Sequence, residues 1–228
     1  MDNGAMTTKN ALPMNQSLLL IAIAALSLGG GYWLSHNLRT HALDTSPLPA
    51  NLQATVLDKP RPIKDFQLQA QDGSPFGPAT LKGHWSFMFF GYTNCPDVCP
   101  TALQVMKDAW QRIPRSQGKH APRMYFVSVD PDRDSLDTLK KYVQYFDPSF
   151  IGVTGKADEI DKLTGQLGVL YGFEDKQDGN DYYTVNHSAQ IILIDPNGRM
   201  HAVISPPYDG KLIAGNFQAI RQHFKNQP

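Results

Sequence analysis

The chain has 228 residues, 41% of them hydrophobic and 18% charged, and its Lys+Arg and Asp+Glu totals are equal at 21 each. Zero formal charge argues against a nucleic-acid binder, which carries a basic excess, and the apolar content argues against a disordered polyelectrolyte. Two cysteines exclude a disulfide-rich scaffold and a four-cysteine zinc or iron–sulfur site within one chain.

The first residues differ in kind from the rest. After a short tail (1–16), no Asp, Glu, Lys or Arg occurs between Lys9 and Arg39, and Leu18 to Leu34 reads LLLIAIAALSLGGGYWL. At about 1.5 Å rise per residue, a helix over 17–36 spans a hydrocarbon core of about 30 Å. Tyr32 and Trp33 stand where an interfacial aromatic belt would lie. The reading is an uncleaved transmembrane anchor. A cleaved signal peptide is the rival, but the apolar stretch exceeds the usual h-region of about 7–15 residues and no small-residue cleavage site directly follows. Lys9 and Arg39 nearly cancel in the positive-inside rule. A bacterial inner membrane with the bulk of the chain outside the cytoplasm is the simplest placement. Residues 37–62 carry four prolines and no sustained periodicity, which reads as a linker.

The globular domain, 63–228, alternates strands and helices. Phe66–Ala70 alternates apolar and polar and runs into a turn at Gln71–Ser74. Trp85–Gly91 is a continuous apolar run, suited to a strand covered on both faces. Apolar residues from Val98 to Trp110 recur at helical spacing. Met124–Val129 is a second buried strand, and Leu136–Phe146 a second helix. Phe150–Val153 is a short strand, and Ile160–Leu170 a third helix. Gln190–Asp195 and Met200–Ile204 flank the turn Pro196-Asn197-Gly198 and form a hairpin. Leu212–Phe224 closes the chain as a helix. This order predicts an α/β domain of three layers with a mixed central sheet of thioredoxin type. A doubly wound nucleotide fold is the alternative, but no phosphate loop follows the first strand.

Both cysteines lie in Gly91-Tyr-Thr-Asn-Cys95-Pro-Asp-Val-Cys99-Pro100, where a buried strand feeds a helix. At i and i+4 they share a helix face, with Pro96 in the first turn. The helix N-terminus favours anions and lowers thiol pKa values. Three readings stand: inert packing thiols, a redox disulfide, and a metal site whose two thiolates select a soft ion such as Cu(I). An imidazole would complete the third. Of the seven histidines, His187 stands apart, just before the Gln190–Asp195 strand, in a loop that approaches the cysteine loop in a thioredoxin-type sheet. Asp97 is either a helix-start anion or a partner contact. Asp130 and Asp134, in Asp130-Pro-Asp-Arg-Asp134, are either a patch that supports the site or meets a partner, or a turn and helix cap, with Asp134 or Ser135 capping the helix that begins near Leu136.

TNCPDVCPTAL, FVSVDPDRDSLDTLKKY and TVNHSAQIILIDPNGR together resemble the Sco/SenC family of copper proteins for cytochrome c oxidase assembly. The resemblance runs from about Ile63 to the C-terminus. It implies a thioredoxin-like fold facing the periplasm or the mitochondrial intermembrane space, and one copper held by Cys95, Cys99 and His187, as Cu(I) and also Cu(II). It implies a metallochaperone whose acceptor is the copper centre of oxidase subunit II, supplied by a periplasmic copper donor. The thioredoxin cis-proline position is taken by His187-Ser188-Ala189, and Asn186 replaces the Asp that many relatives carry before the histidine. A thiol–disulfide reductase that keeps the acceptor's cysteines reduced needs the same thiols but not His187. A peroxidase of peroxiredoxin type would need a Thr and an Arg beside its cysteine; Thr93 is near, but no Arg is close in sequence.

Overall fold

The apolar run forecast as a central strand forms one, Ser86–Gly91, with every residue buried. In the computed structural model the described residues are 23, 25–33, 56–114, 121–177 and 182–225. The chain divides into two compact units, 1–46 with 226–228, and 47–225. In the first, residues 25–33 are helical and exposed. Among the described residues no helix is long and apolar enough to cross a membrane, and the rest of the expected anchor lies outside them.

In the second unit the strands are β1 (Val56–Pro62), β2 (Leu68–Ala70), β3 (Pro75–Phe76), β4 (Ser86–Gly91), β5 (Arg123–Ser128), β6 (Ile151–Thr154), β7 (Tyr171–Glu174), β8 (Thr184–His187), β9 (Ile191–Ile194) and β10 (Arg199–Ile204). The helices are α1 (Val98–Arg112), α2 (Leu136–Phe146), α3 (Ala157–Leu167) and α4 (Gly210–Lys225). Eight strands form one sheet in the order β1-β10-β9-β4-β5-β6-β2-β3, and β7 pairs with β8 in a separate hairpin. The centre β4-β5-β6 is parallel, and β9 runs antiparallel to β4.

Strand alternation builds the layers. Phe87, Phe89, Met124, Phe126, Ile191 and Leu193 point to the face covered by α1, α2 and α4. Met88, Phe90, Tyr125, Val127, Ile192 and Ile194 point to the other, where α3 and the Ile63–Leu81 segment pack. Side chains separated by two positions share a face, so a run without polar residues needs cover on both sides.

Three differences from the sequence reading have local causes. Residues 56–62, assigned to the linker, form β1 at the sheet edge against β10, with an irregular register between Val56 and Arg61. An edge strand tolerates Pro60 and Pro62 because its outer N–H groups bond nothing in the sheet. Helix α3 stops at Leu167 because Gly168, at φ 69°, takes the left-handed C-cap conformation. That frees Val169 and Leu170 to lead into the β7–β8 hairpin, which the apolar pattern did not reveal because β7 is largely exposed.

Candidate metal centre

Parallel β4 delivers the cysteine loop to its carboxyl end. Because β9 is antiparallel to β4, with Phe89 opposite Ile191, the residues that precede β9 reach the same edge of the sheet. That is how His187 and Cys99, 88 positions apart, come within contact.

The cysteines meet differently from a shared helix face. Helix α1 begins at Val98 with Asp97 as N-cap, so Cys95 and Pro96 lie outside it and Cys99 is its second residue. The proline of the first turn is Pro100, where the missing N–H would be unpaired in any case. Asp97 makes no side-chain cap. The Cys99 N–H instead donates to Cys95 Sγ at 3.5 Å, so sulfur does the work of a capping oxygen. Cys95 N–H bonds the Tyr92 carbonyl at 3.3 Å, which turns the loop back over the helix end.

Cys99 Sγ lies 3.3 Å from His187 Nε2. His187 Nδ1 contacts the Ser188 carbonyl at 3.1 Å; a carbonyl only accepts, so Nδ1 carries a proton and Nε2 is the nitrogen turned to the sulfurs. The ring stands edge-on to Phe89 and Tyr92, each with centroids 6.0 Å away. The three donor atoms lie within 4.8 Å of one another, and among the described residues this is the one cluster of its kind. An ion with bonds of about 2.0–2.3 Å to nitrogen and sulfur, as zinc makes, needs donor separations of about 3.8–4.0 Å in a trigonal site. The donors therefore sit within an ångström of a closed three-coordinate set, and its chemistry suits a soft ion.

Neither cysteine is in a disulfide. Cys95 is lowered to about 4: the Cys99 thiol donating to it is the main cause, burial opposes, and His187 with the backbone N–H groups of Cys99 and Asp97 adds to it. Cys99 moves the other way, because it gives its hydrogen bond to Cys95 and is buried. The pair holds one proton between them, with the negative charge on the more exposed sulfur. Gly91 makes the packing possible: a Cβ there would overlap Cys99 Sγ and stand 3.1 Å from the Phe126 ring.

The acidic block takes structural positions. Asp134 is buried and accepts from Thr93 N–H at 3.0 Å, Thr93 Oγ1 at 2.5 Å and Ser128 Oγ at 2.6 Å, tying the cysteine loop to the end of β5. Burial raises its pKa more than these bonds lower it. The helix cap is Ser135, which accepts from Thr138 N–H. Asp130, fully buried, pairs with Arg133 Nε at 2.5 Å and accepts from Tyr183 Oη at 2.6 Å. Asp97 is exposed and takes a 3.4 Å bond from Thr101 Oγ1. With Thr93 turned to Asp134, and Arg133 bound to Asp130 and the Tyr183 carbonyl, the peroxidase reading gains nothing from the geometry. Asn186 lies on the outer side of its strand and donates to Glu174 Oε1; alternation places it opposite His187, so its difference from an Asp does not touch the imidazole directly.

The other described histidines stay apart from the sulfurs. His84 bonds Tyr125 Oη and His201 faces Asp195, both buried. Sequence reasoning missed Gly91, Tyr92, Arg133 and Tyr183. The Asp130–Arg133 spacing was the one available signal, since side chains three apart can pair around a turn.

The family model SCO1/SenC matches residues 55–222. A SCO2-like protein of Rickettsia felis is 34% identical over 181 residues, covering 79% of this chain and 85% of that one. Among solved structures, ScoI of Bradyrhizobium japonicum with copper bound is 33% identical with a TM-score of 0.61, covering 71% of this chain and 99% of that chain. Yeast Sco1 with copper bound is 31% identical with a TM-score of 0.63, covering 74% and 91%. A match across most of the globular unit, joined to the cysteine–cysteine–histidine cluster that its fold assembles, makes the chain a member of the SCO1/SenC family.

Proposed function

We propose that this protein carries one copper ion on Cys95, Cys99 and His187 and passes it to a copper-accepting protein outside the cytoplasm, the centre of cytochrome c oxidase subunit II in the family's role. The observation that carries the reading is the convergence of two sulfurs and an imidazole nitrogen within 4.8 Å from distant parts of the chain. Copper is the cargo. Cys95 offers a thiolate at neutral pH, Cys99 gives up its proton as the ion enters, and His187 completes the set. Cys95 is the less buried of the two cysteines and so the sulfur an acceptor thiolate would approach first, and transfer proceeds by exchange of ligands. An anchor at 17–36 in a bacterial inner membrane would confine the search for a membrane-bound acceptor to two dimensions.

One observation favours a second reading. An ionised Cys95, the less buried of the pair, beside a protonated Cys99 is the arrangement of a dithiol reductase. Cys95 thiolate would attack an acceptor disulfide and form a mixed disulfide. Cys99, as thiolate, would then attack Cys95 Sγ and release the second acceptor thiol, leaving a Cys95–Cys99 disulfide and two electrons on the acceptor. His187→Ala separates the readings. Loss of copper transfer to a reduced acceptor domain, with disulfide reduction retained, supports the carrier. Unchanged copper transfer would refute it.

A further inference from the structure

Cys95 and Cys99 follow directly on β4 of the main sheet, whereas His187 stands on a strand of a separate hairpin. His187 ends β8, and β8 pairs only with β7. What holds this hairpin therefore decides where the imidazole stands. Val185 packs into the core and Tyr171 Oη donates to Asp161 at 2.6 Å; the hairpin's link to the acidic block is a small polar and aromatic assembly. The Arg133 guanidinium lies over two rings, 3.5 Å from the Tyr183 centroid on the hairpin side and 5.4 Å from the Tyr92 centroid on the body side. The same guanidinium donates to the Tyr183 carbonyl at 3.0 Å. Asp130 accepts from Arg133 on one oxygen and from Tyr183 on the other. The ion pair is closed to solvent, with side-chain exposures of 11% and 0%. Outside it, Lys176 of the hairpin reaches Asp132 at 2.7 Å. Tyr92 in turn meets His187 edge to face. The Arg133 and Asp130 contacts thus land on Tyr183, four residues before the imidazole, and on Tyr92, which touches it.

We infer that Arg133, Asp130 and Tyr183 are positioning residues that clamp the β7–β8 hairpin and so set the placement of His187 for copper. The inference rests on the proposed copper site and adds to it the part of the chain that brings its third ligand into register. Planarity matters here. A guanidinium stacks on a ring and forks to two acceptors at once, whereas an ammonium is a point charge. Val185 is the hairpin's one buried apolar side chain in the domain core, with Tyr171 and Tyr183 packed beside it, so directional contacts carry much of the hold. Groups that orient a metal-binding histidine change affinity by about 10–100-fold when removed.

The test is a double-mutant cycle on the full chain with Tyr183→Leu, which removes the hydroxyl and the ring but leaves the buried Arg133–Asp130 pair intact, and His187→Ala. Arg133→Lys is the second variant and keeps the charge that Asp130 needs. Cu(I) affinity is read by chelator competition, and hydrogen exchange of residues 184–187 in the copper-free protein reports hairpin opening. In the wild-type background each clamp variant is expected to weaken Cu(I) at least tenfold and speed exchange of the hairpin amides. In the His187→Ala background neither should weaken it further. An equal loss in both backgrounds would overturn the inference, because the clamp would then act on the sulfurs or on the whole fold. Undiminished affinity with either clamp variant would also overturn it. If His187→Ala itself binds like wild type, the copper site fails, and that failure is distinct from failure of the clamp.

Discussion

Gly91→Ala adds one methyl group at the crowded end of β4. The backbone of Gly91 is ordinary strand, so the variant tests space and not conformation. The new Cβ would overlap Cys99 Sγ and stand 3.1 and 3.3 Å from two atoms of the Phe126 ring. Cys99 and Phe126 are both fully buried, and Phe126 is itself packed against Phe89 and Tyr142. Neither neighbour has open volume to move into, so Cys99 must shift along α1 or β4 must bend. Overpacking of this kind costs about 1–3 kcal/mol. For a domain of this size each kcal/mol lowers Tm by about 2–4 °C. Copper responds more strongly, because the displaced atom is a ligand: a loss of about 10–100-fold in Cu(I) affinity is expected, the range seen when the support of a metal ligand is removed. Thermal melting of the copper-free protein and chelator competition at fixed pH read the two effects. Wild-type affinity together with wild-type Tm would refute the packing argument, since it would show that the Cys99 sulfur is not confined as the structure places it.

Two further outcomes follow from the same site. Cys95 is ionised above about pH 4 and Cys99 is not, so loading Cu(I) displaces one thiol proton. Conditional affinity is therefore expected to rise tenfold per pH unit between about pH 7 and 9; a slope near zero would mean two free thiolates, and a slope near two would mean none. Tyr142 is partly exposed, yet its hydroxyl is sealed inside and has no partner among the described residues. Tyr142→Phe removes an unsatisfied buried group, so the Tm of the copper-free protein should hold or rise; a drop equivalent to more than about 1 kcal/mol would show that the hydroxyl is bonded.

The central layers were legible because β4, β5 and β9 are runs of buried apolar residues whose odd and even members face different helices. The hairpin was not legible. It has one buried residue in β8, Val185, and the rest of its hold comes from side-chain contacts such as Tyr171–Asp161 and Tyr183 with Arg133 and Asp130, whose partners are distant in sequence and carry no period. The motif Cys95–Cys99 was plain, but its geometry was not: the prolines suggested a helix starting at Pro96, whereas the sulfur of Cys95 caps a helix that starts at Val98. His187 was separable from the other histidines by its place before a central strand. The acidic block was ambiguous because a carboxylate that caps a helix and one that ties two loops look alike in sequence. Only the fold shows Asp134 turned to Thr93 and Ser128.

The most direct measurement is a Cu(I) titration of the reduced protein against a competing chelator, with wild type and His187→Ala side by side. One tight equivalent in wild type and a marked loss in the variant is the result expected of a site closed by two sulfurs and an imidazole. Equal binding by both proteins would contradict it and leave His187 a structural residue beside a thiol pair.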